Sequence, residues 1–292
     1  MKKYLLPFFI VAITLSSCYK TGEIIFQTTC KTTAIDYRNN NLFYPPGQLF
    51  TPYVLPSPIN FLYRAEPYME FTYGGTNHHL LTATGISNGV AYTKFDFSYT
   101  APNNLTKITE SQRDEATGLF APVVYWNLVY PPGTASSIAD DMTVEFWNFS
   151  AASPFYIDSL HFNNEFQLTS IIGQNGDTLS TLEYNFAGNC TRLKNYAHLC
   201  SGGPNTVATV YDFSNYDDKI NPARTDRYLQ LFLHDYSKNN PGFVKREVFP
   251  HCGPVNNIHM LDSSGVSYNF YNNHNLPTIR NGFFFASYSC NN

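Results

Sequence analysis

Apolar and polar residues alternate along much of this chain, with the period of two that a half-buried β-strand imposes. Four segments share one pattern: FDFSYTAPNNLTKI (Phe95 to Ile108), LHFNNEFQLTSI (Leu160 to Ile171), LEYNFAGNCTRL (Leu182 to Leu193) and YNFYNNHNLPTI (Tyr268 to Ile279). Aligned on Leu105, Leu168, Cys190 and Leu276, they place Tyr99, Phe162, Tyr184 and Phe270 six residues earlier. Phe97, Leu160, Leu182 and Tyr268 stand eight residues earlier, and Ile108, Ile171, Leu193 and Ile279 three residues later. Each unit predicts a hairpin: an alternating strand, a turn rich in Asn, Gly or Ala, and a returning strand whose first apolar residue faces the aromatic before the turn. Asn and Gly suit such turns because they tolerate positive φ. Two units run head to tail between Phe162 and Leu193, joined by GQNGDTLST, where Asn175-Gly176 is a further turn signal. YDFSNYDDKI (Tyr211 to Ile220) starts in the same way and then departs from the pattern.

Between Tyr44 and Pro58 stand Pro45, Pro46, Pro52, Pro56 and Pro58. This stretch predicts extended loop or edge, since proline donates nothing to a β-ladder. A second YPPG stands at Tyr130 to Gly133, and similar strands follow both copies, MEFTY at Met69 to Tyr73 and VEFWNF at Val144 to Phe149. A diverged duplication and two similar turns arising by chance are equally good accounts of this. The fold class expected is mainly β: antiparallel hairpin repeats forming an extended twisted sheet or an irregular sandwich.

The hairpin unit resembles the tyrosine–aspartate repeats of Rhs-type proteins, whose pattern runs aromatic, Asp or Asn, Gly, Leu, Thr, any residue, Ile. It is also similar to hairpin-built lipoproteins of the Bacteroidetes. The likeness covers about half of the chain beyond residue 17 and most units lack the Asp-x-x-Gly turn. It therefore implies a fold tendency and carries over no activity and no residue.

The N-terminus predicts an address. Lys2 and Lys3 form a basic n-region, Tyr4 to Leu15 an apolar h-region, and Leu15-Ser16-Ser17-Cys18 looks like the lipobox cleaved by lipoprotein signal peptidase. The apolar run is short of the roughly 20 residues that a spanning helix needs. The resemblance implies cleavage before Cys18 and acylation there, with palmitate among the chains. Each buried methylene then contributes about 0.8 kcal/mol of anchoring. Tyr19 rather than aspartate follows, which favours the outer membrane. The organisation expected is a signal peptide over 1–17, a tether over 18–29 and a β-rich hairpin-repeat domain over 30–292.

Cleavage would leave 275 of the 292 residues, and loss of two lysines leaves 16 basic against 22 acidic residues, near −6. There is no basic footprint, so nucleic acid is not an expected partner. Aromatics are 16% of the chain and charged residues 14%, with Tyr 22 and Phe 24 against Trp 2, a balance that suits strands. It resembles that of secreted and surface proteins of the Bacteroidetes. Besides Cys18 there are Cys30, Cys190, Cys200, Cys252 and Cys290. In an oxidising compartment five cysteines make at most two bridges. Cys190 with Cys200 and Cys252 with Cys290 are the pairings expected, against the alternative of five buried thiols. No Cys-x-x-Cys indicates a zinc ribbon or a redox motif.

The chain has no Gly-x-Ser-x-Gly, no His-Glu-x-x-His and no Walker loop. His78 and His79 would point to opposite faces of a strand, so a polar turn explains YGGTNHH better than a metal site. His251, Cys252 and His259 offer ligand chemistry, but the Gly253-Pro254 and Asn256-Asn257 between them read more simply as a turn. Asp140-Asp141 and Asp217-Asp218 are adjacent carboxylates, whereas a glycosidase places its pair across a cleft. Asp158-Ser159-Leu160 and Asp177-Thr178-Leu179 resemble an O-glycosylation sequon at a frequency chance allows. Trp126 and Trp147 could stack on sugar rings, although aromatics spaced by two in strands more often form core. No cofactor or metal is implied. The function expected is a lipid-anchored, non-catalytic envelope component whose partners are the membrane, through Cys18, and a glycan or envelope protein. The competing readings are a surface glycan hydrolase with unidentified carboxylates and a structural or adhesive protein.

Overall fold

The computed structural model describes residues 29–36, 68–74, 79–100, 104–131, 141–198, 205–233, 235, 237–249, 260–281 and 283–290. The fold is mainly β. Its first strands are β1 (Cys30–Asp36), β2 (Tyr68–Gly74), β3 (His79–Ser87), β4 (Val90–Thr100), β5 (Asn104–Arg113), β6 (Phe120–Val129) and β7 (Asp141–Asn148). There follow β8 (Tyr156–Phe162), β9 (Leu168–Gly173), β10 (Thr178–Tyr184), β11 (Cys190–His198), β12 (Asn205–Ser214), β13 (Phe243–Val248) and β14 (Met260–Gly265). These fourteen run as one antiparallel meander, and β18 (Ala286–Cys290) adds to β1, giving a 15-stranded sheet with β14 and β18 at its edges. β15 (Tyr268–Tyr271), β16 (Pro277–Arg280) and β17 (Phe283–Phe284) form a separate three-stranded sheet. An extended sheet is therefore found, rather than a two-layer sandwich.

The hairpin units close as the repeat implies. Tyr99 pairs with Leu105, Phe162 with Leu168, and Tyr184 with Cys190, each beside a register shift. The fourth unit closes one residue later than the alignment on Leu276 implies, with Tyr271 opposite Pro277. The turn decides this. Asn163 Oδ1 accepts from the amides of Glu165 and Gln167, Asn185 Oδ1 from Ala187 and Asn189, and Asn272 Oδ1 from His274 and Leu276. In these three turns positive φ falls on Phe166, Gly188 and Asn275 respectively. With Asn272 as the turn residue, Tyr271 must take the closing place, and Phe270 is left 61% exposed.

A row of tyrosines then ties each hairpin to an earlier one. Their hydroxyls donate to backbone carbonyls: Tyr99 to Leu80 (2.7 Å), Tyr130 to Leu105 (2.8 Å), Tyr184 to Leu168 (2.7 Å) and Tyr288 to Pro277 (2.7 Å). Tyr216 donates likewise to Cys190, and Tyr73 to Thr32. Of these acceptors Leu168, Cys190 and Pro277 open their returning strands, and Leu105 is the second residue of its own. We call this the near end of the sheet. The far end carries the β3–β4, β5–β6 and β7–β8 turns.

One face of the sheet packs on a segment inserted between β12 and β13, at the point where the pattern departs after Tyr211. Pro222–Thr225 form a 3-10 turn and Arg227–Leu233 a helix, α1. Asn221 Oδ1 caps the turn at Ala223 N (2.9 Å), and Asp226 Oδ1 caps α1 at Tyr228 N (2.9 Å) and Leu229 N (3.2 Å). Lys31 on β1 reaches Asp226 at 2.8 Å, and Thr32 Oγ1 lies 2.8 Å from Thr225 Oγ1. Phe232 packs against Phe95 (5.0 Å between ring centroids) and Phe97 (5.3 Å), and the Arg227 guanidinium lies 3.9 Å over the Phe166 ring. Thr225 and Arg227 are two residues apart, yet they touch β1 and the β8–β9 hairpin. In a flat sheet those elements would be roughly 35 Å apart, so the sheet curls around this segment. The core lies on that inner face: Leu105, Ile108, Leu160, Leu168, Ile171 and Leu193 are fully buried.

Cys30 stands opposite Cys290 in the β1–β18 pairing, and the two are joined by a disulfide. Bridging residues 260 apart contributes up to about 5 kcal/mol in the chain-entropy limit. Cys290 therefore pairs with Cys30 and not with Cys252. Cys190, which opens β11 on the inner face, is a buried free thiol and not half of a bridge; burial raises its pKa and keeps it a neutral thiol. Cys18, Cys200 and Cys252 lie outside the described residues.

Candidate functional site

The two tryptophans separate. On β6 the apolar residues Val124, Trp126 and Leu128 alternate inward, and Trp126 is 3% exposed among Phe95 (6.4 Å) and Phe146 (5.4 Å). On β7 Met142 and Val144 face inward, which turns Trp147 to the outer face. There it lies parallel to Tyr125, its cross-strand neighbour, with centroids 5.8 Å apart and planes 7° apart. Phe149, 47% exposed, meets Tyr125 edge-on at 5.2 Å.

Polar groups fix this strip. Lys107 Nζ lies 3.9 Å over the Tyr125 ring and 5.5 Å from that of Phe149. Glu145 Oε2 accepts from Trp147 Nε1 at 3.0 Å and from Asn127 Nδ2 at 3.3 Å. The register makes these contacts unavoidable, because Asn127 faces both Lys107 and Glu145 across its two ladders. The result is a half-exposed aromatic row bordered by an ammonium, a carboxamide and a carboxylate. Chemically it offers ring faces and edges for stacking, with fixed donors and acceptors alongside. More exposed apolar residues collect where these strands reach the far end: Leu119 (70%), Phe120, Phe155 (54%) and Tyr156.

The remaining sequence candidates are dispersed. Asp141 Oδ1 is held by His161 Nδ1 at 2.6 Å. Asp217 accepts from Asn240 and Tyr271, while Asp218 is exposed and paired with Lys219, which holds its carboxyl below the usual carboxylate range. His79 stacks on Tyr99 at 4.9 Å. His78, Asp140, His251 and His259 lie outside the described residues. Of the two sequons, Ser159 and Thr178 sit within β8 and β10, and Asp158 is buried. Ligand atoms of Cys30, Cys290 and His274 lie within 4.8 Å of one another, but disulfide sulfurs are not the thiolates that bind metal.

Three features went unread in the sequence: the inserted helix, the Cys30–Cys290 closure and the orientation of Trp147. For the last, the inward parity of Met142 and Val144 was the available signal.

No family model matches the chain, and no curated protein matches it. Solved structures similar in part include a DUF3836 family protein from Bacteroides vulgatus, 14% identical over 28% of this chain and 82% of that one, with a TM-score of 0.23. Another from Parabacteroides distasonis is 10% identical over 37% and 91% respectively, with a TM-score of 0.22. A protein of unknown function from Bacteroides fragilis is 9% identical over 59% and 91%, with a TM-score of 0.23.

Proposed function

We propose that this chain is a lipid-anchored cell-envelope protein of the outer membrane, acting as a non-catalytic binding component for a glycan. The observation that carries the reading is the outer-face row of Tyr125 and Trp147 with Glu145, Asn127 and Lys107 beside it. Pyranose rings present apolar C–H faces to aromatic side chains and hydroxyls to amides and carboxylates, and this strip supplies both kinds of group. The lipobox ending at Cys18 supports the anchor. β1 begins at Cys30 at the near end, so a tether over 18–29 attaches there, and the aromatic strip runs from mid-sheet toward the opposite end. An anchored molecule would thus hold the strip away from its own bilayer.

The test is saturable binding of the lipid-free protein to a polysaccharide panel. Binding lost in Trp147→Ala and Tyr125→Ala, with no release of shorter products, is the expected outcome. Product release would overturn the non-catalytic reading, and binding unchanged in both variants would remove the strip from it. Separately, loss of acylation and membrane retention in Cys18→Ala tests the anchor; unchanged partitioning would refute it.

A further inference from the structure

The inner layer contains a buried cation with two unsatisfied nitrogens. Arg224, in the 3-10 turn, is 6% exposed, and its Nε and Nη1 have no hydrogen-bond acceptor among the described residues. A guanidinium stripped of water and of hydrogen bonds is strongly unfavourable, and proteins resolve such cases with a counter-charge. The carboxylates around it leave these two nitrogens unmet. Glu165 on the β8–β9 hairpin and Asp235 act on it through space, but neither accepts from Nε or Nη1. Asp235 is itself held toward its neutral form by burial. Arg280, 4% exposed, is a second buried cation acting on that same carboxyl.

We propose that Arg224 anchors an internal oxyanion site, taking a carboxylate- or phosphate-bearing small ligand between the Pro222–Thr225 turn, the β8–β9 turn that carries Glu165 and the end of β10 at Tyr184. A guanidinium is the side chain suited to this ligand class, because its planar donors match the spacing of two oxygens on one centre. The arrangement also suits a ligand that stays with the fold, since the same segment holds the curled sheet to β1. This site lies on the inner face, apart from the Trp147 strip, and stands or falls independently of it.

The experiment measures the thermal midpoint of the full chain against inorganic phosphate, sulfate and acetate, each at ionic strength held constant with chloride. For the wild type, the midpoint should climb by several degrees as the effective anion approaches about a hundred times its Kd. Arg224→Met removes the charge at similar volume and should give a flat response. Arg224→Lys keeps the charge without the planar donors, and its response should need at least about tenfold more anion. It serves as the comparison should the Met variant not fold. A response to any of the three anions that is lost or weakened in these variants supports the site, and the preferred anion identifies carboxylate or phosphate chemistry. The same response in wild type and variants, or no response in the wild type, overturns it.

Discussion

Trp126 and Trp147 stand on adjacent strands, one residue out of step in register, and live in opposite surroundings. Trp126 is enclosed between Phe95 and Phe146 on the inner face, while Trp147 lies on the outer face beside Tyr125 with its indole N–H on Glu145. Strand parity alone makes the difference, since a shift of one residue sends a side chain to the other face. The inner and outer faces of β5–β7 use the same residue types for different ends. The inner face spends aromatics on closing the curled sheet over α1. The outer face holds them half-exposed, fixed by polar neighbours, where burial gives little and a ligand could gain much.

Truncating the inner ring should have the largest effect. Trp126→Ala should cost about 3–5 kcal/mol, because a large buried side chain is removed from a packed layer that cannot fully collapse. Denaturant unfolding followed by circular dichroism measures it. A cost under about 1 kcal/mol would place Trp126 outside the core.

The inner face also holds a defect whose removal should stabilise. Asp158 on β8 is 4% exposed, and burial pushes its carboxyl up to about 7. Its unfolded value is near 3.9. Because the folded state binds the proton more tightly, its contribution is complete below about pH 4, declines as pH rises through 7, and is lost above that. Asp158→Asn should therefore melt higher than wild type at pH 8, by on the order of 2–4 kcal/mol in stability, and about equally at pH 4. Equal stability at both pH values would mean that the carboxylate is hydrated when ionised.

Much of this architecture is legible in the sequence, and the misses have physical causes. The hairpins follow from alternation and Asn-rich turns, and three of four closing pairs fall where the alignment puts them. The fourth slips because Phe270 and Tyr271 are both aromatic, and only the turn made by Asn272 chooses between them. α1 is short, and its helical pattern of Tyr228, Leu229, Leu231 and Phe232 also suits a buried strand. Its Asp226 cap was the one distinguishing signal. The Cys30–Cys290 bridge depends on β18 returning to β1, a pairing across the whole chain that no local pattern encodes. For the candidate site, both tryptophans were visible as residues, and their opposite orientations followed from parity that composition does not show.

A smaller effect belongs to the tyrosine row at the near end. Tyr184→Phe removes the donor to the Leu168 carbonyl and should cost about 1 kcal/mol, the usual net value of one such bond. Phe162 already occupies the equivalent place without a hydroxyl and instead lies parallel to Phe166 at 4.6 Å. The row therefore tolerates one missing link. A loss well above 2 kcal/mol, measured by urea unfolding, would mean that the hydroxyls act as one cooperative network.

The smallest effect on stability should come from the outer ring, and this is where the comparison bears on function. Trp147→Ala removes a half-exposed side chain whose neighbours are solvated, so the stability change should stay within about 0.5 kcal/mol. Losing it also frees Glu145 Oε2 from its 3.0 Å bond, but that carboxylate keeps Asn127 and access to water. If the outer row exists for a ligand, the same substitution should weaken glycan binding by tenfold or more while Trp126→Ala, in whatever fraction remains folded, leaves affinity unchanged. Stability and affinity would then fall on opposite faces of the same strands. Should Trp147→Ala destabilise the fold as much as Trp126→Ala does, the outer row would be core by another name, and its exposure would carry no information about a partner.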